Sequence, residues 1–158
     1  SRTVLELNEN GLVVDIFPDV KKSCDKLSSI KSNNCLPYVM AAMYARQHRL
    51  NEAILLNQYG RVADSTIANI FIVRHKVIYT RALSEGGVCG VMRKYLLKTE
   101  LPFKVEEKPR GIADLENADE IFLTNAIYGI RWVGLFRDSS YGNATAAILH
   151  EVLHEGML

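Results

Sequence analysis

Four segments of the 158-residue chain carry residue types that could do chemistry. In SIKSNNCLP, Lys31 stands among Ser and Asn residues just ahead of a helix-like run. A lysine amine becomes a nucleophile or base when burial or nearby positive charge lowers its pKa, although most lysines are solvated surface charges. In NQYGRVADSTIANIF, Asp64 is followed by small and hydroxylated residues. This is either a carboxylate held in a site with room for a planar ligand, or a hairpin loop in which Asp64, Ser65 and Thr66 cap their own backbone. In LSEGGVCGVMRKYLL, Gly86, Gly87 and Gly90 precede a helix start. The amides of Val91 and Met92, aided by the helix dipole, could bind a phosphate there, or the glycines could simply serve a turn. The spacing fits neither the P-loop nor the dinucleotide fingerprint. Residues 150–154, HEVLH, match a zinc-peptidase motif with Glu151 as base. Only four residues follow, so His48 or His75 would have to supply a distant third ligand. Ala144, Ile148, Leu149 and Val152 read as the buried face of that helix, leaving His150 and His154 solvated, so no metal site is expected.

Periodicity supplies the elements that must position these groups. Residues 11–17 read as a strand and 36–50 as a helix with Pro37 in its first turn, so the Lys31 segment leads into a helix. Asp64 falls in a polar stretch between strands at 52–57 and 70–74, and a tight turn leads to a strand at 77–80. The glycine loop ends at a helix over 91–101. A strand at 103–108, a short helix at 111–118, strands at 120–125 and 129–136, and a closing helix at 143–156 complete the chain. The expected fold is a mixed α/β domain on meandering strands, without repeats or low-complexity tracts.

Composition narrows the classes. With 48% hydrophobic and 23% charged residues the chain can bury one sizeable core. Lys+Arg 19 against Asp+Glu 18 gives a net charge of +1 and no global field toward nucleic acid or anionic membrane, so neither is an expected partner. Cys24, Cys35 and Cys89 form no CxxC pair and fit a reducing compartment, hence a cytoplasmic location. No apolar run reaches the roughly 20 residues that span a bilayer, and the opening SRTVLELNENG lacks a signal-peptide layout. A first residue other than Met, followed directly by strand-like sequence, suggests missing upstream sequence.

In order, KSNNCLPYVMAAMYARQ, EAILLNQYGRVADSTIANIFIV, VIYTRALSEGGVCGVMR and DEIFLTNAIYGI resemble the carboxy-terminal domain of class IV pyridoxal-phosphate enzymes, over roughly residues 28–133. That family includes branched-chain and D-amino-acid aminotransferases and 4-amino-4-deoxychorismate lyase. The resemblance implies a fold-type IV carboxy-terminal domain over 1–158, with the family's amino-terminal domain absent. It implies pyridoxal 5'-phosphate as cofactor, Lys31 as the Schiff-base lysine, and Asp64 where the family usually has the Glu that pairs with the ring nitrogen. It also implies that the Val91 and Met92 amides hold the cofactor phosphate and that Asn125 and Ala126 face phosphate or substrate. Cys35 stands where aminotransferases of the family commonly carry a Tyr, and the absent domain would bring a phosphate-binding arginine. The TNAIYGI segment looks more like the lyase, where Asn is frequent, than like the Gly-Thr-Ala loop of branched-chain transaminases. The expectation is therefore a lyase releasing 4-aminobenzoate and pyruvate for folate synthesis, or else a transaminase, acting on a small amino-acid-like substrate as a homodimer. A zinc peptidase and a non-catalytic fragment are the readings from other classes.

Overall fold

The computed structural model describes residues 6–19, 36–66, 68–82 and 90–156, so the expectations placed on Lys31 and Cys35 lie outside the described residues. In chain order the elements are β1 (Leu12–Ile16), α1 (Leu36–Gln47), β2 (Glu52–Leu56), β3 (Val62–Ser65), β4 (Asn69–Arg74) and β5 (Val77–Thr80). They continue as α2 (Val91–Lys98), β6 (Lys104–Glu107), α3 (Ile112–Glu116), β7 (Glu120–Asn125), β8 (Gly129–Phe136), β9 (Ser139–Ser140) and α4 (Ala144–Gly156). The strands form one mixed sheet in the order β3-β2-β1-β8-β7-β4-β5-β6, with β9 added beside β8. β1 runs parallel to both neighbours, β5 is parallel to β6, and the remaining pairs are antiparallel. The sheet curls until its first strand meets the segment after its last. Arg61 bridges Gly111, and the Val62 amide donates to the Arg110 carbonyl at 2.6 Å. Curling ties up backbone groups that an open edge would expose.

Strand alternation sorts the apolar residues onto the two faces of this sheet. The inner face carries Val14, Ile54, Ile70, Ile121, Leu123 and Val133, all nearly or fully buried. On the outer face α1 packs Ala41 and Ala45 over Ala53 and Leu55 of β2. Beside them α2 and α4 place Leu96, Leu149 and Leu153 over Phe71 and Phe122, whose rings stack with centroids 5.0 Å apart. Each such large side chain contributes about 1.5–3 kcal/mol on burial.

Three boundaries differ from expectation for identifiable reasons. Helix α1 ends at Gln47 rather than at 50. Arg49 takes a left-handed φ of 57°, and the Leu50 amide reaches back to the Ala45 carbonyl at 2.8 Å, a Schellman closure. Helix α2 stops at Lys98, short of 101, because Pro102 disfavours helical backbone in the residue before it. The supposed polar stretch after residue 61 is strand β3, whose pairing with β2 outweighs its composition.

The buried face of α4 also differs. Thr145, Ala146, Leu149 and Leu153 point inward, while Ala144 is exposed and Ile148 is 44% exposed. The rotation is set by Glu120 at the start of β7, whose carboxylate accepts the Thr145 amide at 3.0 Å and the Ala146 amide at 3.4 Å. His150 and His154 are consequently half-buried rather than solvated, with rings 6.2 Å apart.

Candidate functional site

Asp64 owes its direction to an irregularity in β3. Ser65 opposes Ile54 and Asp64 opposes Leu55, but the next pair is Val62 with Leu56, so Ala63 is an extra residue in the ladder. Unbroken alternation from Val62 would aim Asp64 into the inner core. The bulge turns it to the outer face shared with Leu55, under α1. There the Tyr38 hydroxyl, in the first turn of α1, donates to Asp64 Oδ2 at 2.8 Å. Asp64 is 2% exposed, so a charged-group acceptor sits in a shielded place beside the helix into which the Lys31 segment leads.

Beyond Asp64 the chain turns back at once. The Ser65 amide and hydroxyl both donate to the Ala68 carbonyl, and the Ser65 hydroxyl accepts the Ala68 amide at 3.1 Å. Strand β4 then begins at Asn69, which is buried and lies opposite Thr124 of β7. Both side chains share the outer face with Phe71 and Phe122. Against Asn69 lies the start of α2. A Cβ on Gly90 would come within 2.2 Å of Asn69 Oδ1, so only glycine permits this approach.

Gly90 brings no side-chain cap to α2, and the first intrahelical bond is from the Lys94 amide to the Gly90 carbonyl at 3.1 Å. The amides of Val91 and Met92 therefore belong to the turn that a helix cannot satisfy by itself, at its positive end. The Met92 side chain is buried in the outer core, so only its backbone is available to a ligand. Arg93 fixes the helix start. It is 2% exposed and donates to the Arg81 carbonyl at 2.6 Å and to Glu107 at 2.8 Å.

Asn125 and Ala126 form the turn after β7. Asn125 Oδ1 accepts the amides of Ile127 and Tyr128, each at 2.9 Å, so this side chain shapes its own loop. Ala126 is exposed and Ile127 is 80% exposed at the tip. The structure thus gathers the end of β3, the start of β4, the end of β7 and the start of α2 at one end of the sheet.

That end suits a planar phosphoester. The start of α2 offers amides that the helix itself does not satisfy, beside a glycine that leaves no room for a side chain. The Thr124 hydroxyl is fully buried and has no hydrogen-bond partner among the described residues. A buried carboxylate waits across the Ser65–Ala68 turn. Among the described residues no three His, Cys, Asp or Glu side chains are grouped to hold a metal. No helix of the described residues is long and apolar enough to cross a membrane.

Sequence reasoning missed several residues here. Tyr38 had a signal, seven residues after Lys31 in a first helical turn. Asn69 and Thr124 read as ordinary strand residues. Glu52 was a lone carboxylate opening an apolar strand, which is unusual for a buried position. It is 5% exposed on the inner face, where Leu12, Asn51, Glu52, Tyr128 and Arg131 line an open cavity of about 310 Å³. Burial pushes the Glu52 carboxyl above its usual pKa, opposed by hydrogen bonds from Thr66 and Ser65 and by the charge of Arg131. Burial and the Glu52 charge likewise push the Tyr128 phenol far up, against the pull of Arg131, whose guanidinium lies 4.6 Å from the ring centroid.

Comparison with known proteins gives the family and the fold. An aminodeoxychorismate lyase of Vibrio harveyi is 30% identical over 106 residues, 66% of this chain and 39% of the relative. A D-alanine aminotransferase of Bacillus licheniformis is 35% identical over 120 residues, 74% of this chain and 41% of the relative. The solved branched-chain amino acid aminotransferase of Escherichia coli superposes with a TM-score of 0.82 at 20% identity, covering 93% of this chain and 51% of that one, a likeness of fold. The chain spans about half or less of the length of these relatives. Residues 14–135 match amino-transferase class IV, a pyridoxal-phosphate-dependent family, and the match takes in Asp64, the α2 start and the β7–β8 turn. The chain belongs to the class IV aminotransferase family.

Proposed function

We propose that this chain is the cofactor-holding, carboxy-terminal half of a pyridoxal-phosphate enzyme, completed by an amino-terminal domain that these 158 residues do not contain. The observation that carries the reading is the convergence of Asp64, turned outward by its bulge, with the uncapped α2 start next to Gly90. The Val91 and Met92 amides bind the cofactor phosphate, and Asp64 holds a proton on the ring nitrogen. Bound there, pyridoxal phosphate supplies an electron sink for charge developing at the substrate Cα. Lys31 carries the cofactor and moves the Cα proton. Asn125 and Ala126 border the substrate side.

The preferred reaction is elimination of pyruvate from 4-amino-4-deoxychorismate, leaving 4-aminobenzoate. It is supported by the TNAIYGI segment, which resembles the lyase in carrying Asn125. A relative named aminodeoxychorismate lyase supports it, whereas one named D-alanine aminotransferase supports amino transfer as the second reading. Incubation of the complete enzyme with 4-amino-4-deoxychorismate should release 4-aminobenzoate. Amino exchange between amino acids and 2-oxo acids without 4-aminobenzoate would assign it to the transaminases. The proposed assembly is a homodimer in the cytoplasm. Light scattering that finds a monodisperse monomer overturns the dimer.

A further inference from the structure

Glu52 takes no part in the proposed cofactor site, yet it is a buried carboxylate one strand away from it. On β2 it shares the inner face with Ile54 and Leu56, opposite the face that carries Asp64. It accepts the Thr66 hydroxyl through Oε2. Thr66 sits in the Ser65–Ala68 turn, which the Ser65 hydroxyl closes on its other side at 3.1–3.2 Å. Asp64 stands just before this turn, and Asn69, against Gly90, just after it. Ser65 and Thr66 are thus both held by hydrogen bonds where the chain passes from β3 to β4. The charge of Arg131 acts on the same carboxylate and offsets part of the cost of burying it.

We infer that Glu52 is a positioning residue for the cofactor ring. By holding Thr66 from the inner face, it fixes the turn that presents Asp64 on the outer face. The inference rests on the assignment of Asp64 to the ring nitrogen. It makes a distinction that a purely structural role does not. Loss of the Glu52–Thr66 contact should matter to a ligand that bears the ring nitrogen and not to one that lacks it.

The test compares binding of pyridoxal 5'-phosphate with that of its 1-deaza analogue, in which CH replaces the ring nitrogen. Wild-type protein, Glu52→Ala, Glu52→Gln, Thr66→Val and Asp64→Asn are titrated by absorbance, with far-ultraviolet circular dichroism on each. Glu52→Ala and Thr66→Val should weaken pyridoxal phosphate binding about tenfold, the size of one charge-assisted hydrogen bond, and leave the deaza analogue unchanged. Glu52→Gln, which can still accept the Thr66 hydroxyl, should restore most of the affinity. Equal weakening of both ligands, or no weakening of either, overturns the inference. Should Glu52→Ala fail to fold, Thr66→Val, which keeps the shape of the side chain, decides alone. If Asp64→Asn binds the two ligands in the same ratio as wild type, the Asp64 assignment itself fails and the inference falls with it. A normal Asp64→Asn response with inert Thr66→Val rejects only the role of Glu52.

Discussion

Replacing Gly90 with alanine isolates the closest approach in the candidate site. Its φ of −79° is ordinary for any residue, so alanine causes no backbone strain and the effect is chiefly steric, beside a smaller loss from placing alanine at a helix N-cap. The added Cβ would lie 2.2 Å from Asn69 Oδ1, more than 1 Å inside a normal contact. Asn69 is only 6% exposed and short, so its amide has little space in which to swing away. Overpacking of this kind costs about 1–3 kcal/mol. With a urea m-value of about 2 kcal/mol/M, a loss of about 2 kcal/mol lowers the denaturation midpoint by about 1 M. Asn69→Ala removes the obstacle, at its own cost from lost polar contacts. In that background Gly90→Ala should therefore cost almost nothing, and the double-mutant cycle should show a coupling of about 1–3 kcal/mol. The displaced helix start should also weaken pyridoxal 5'-phosphate binding more than binding of pyridoxal, which lacks the phosphate. Additive effects in the cycle, or a Gly90→Ala protein as stable as wild type, would refute the argument.

Tyr128 buries a hydroxyl that has no partner among the described residues, so Tyr128→Phe should leave stability unchanged or raise it by about 1 kcal/mol in thermal or urea unfolding. Glu52 has a raised folded-state pKa, so its stabilising term is fully present below its unfolded pKa and is lost as pH rises through the folded value. Measured from pH 4 to 7, the stability of wild type relative to Glu52→Gln should accordingly fall with rising pH. A difference that grows in favour of wild type would contradict the burial term as the dominant one. Glu120 caps the first amides of α4, and Glu120→Ala should cost about 1–2 kcal/mol and free Thr145 and Ala146 for faster hydrogen exchange.

Elements whose residues obey a single local rule could be read from the chain. The apolar run of β4 and the alternation leading into β8 both formed as expected. The Schellman turn at Arg49 was hidden because a non-glycine residue adopts the left-handed conformation there. The rotation of α4 was hidden because Glu120, 25 residues from Thr145, sets it. The site divides in the same way. Gly90 ahead of Val91 announced a helix start suited to an anion. The outward aim of Asp64 depends on a bulge at Ala63, and the Tyr38 and Glu52 contacts depend on pairings across the sheet, which no window of local sequence contains.

The proposed role of Lys31, carrying the cofactor, is open to a direct chemical test. Protein that includes the proposed amino-terminal domain is mixed with pyridoxal 5'-phosphate, reduced with borohydride, digested and mapped by mass spectrometry. One stoichiometric phosphopyridoxyl group is expected, on the peptide containing Lys31. Modification of a different lysine, or none at all, would contradict it.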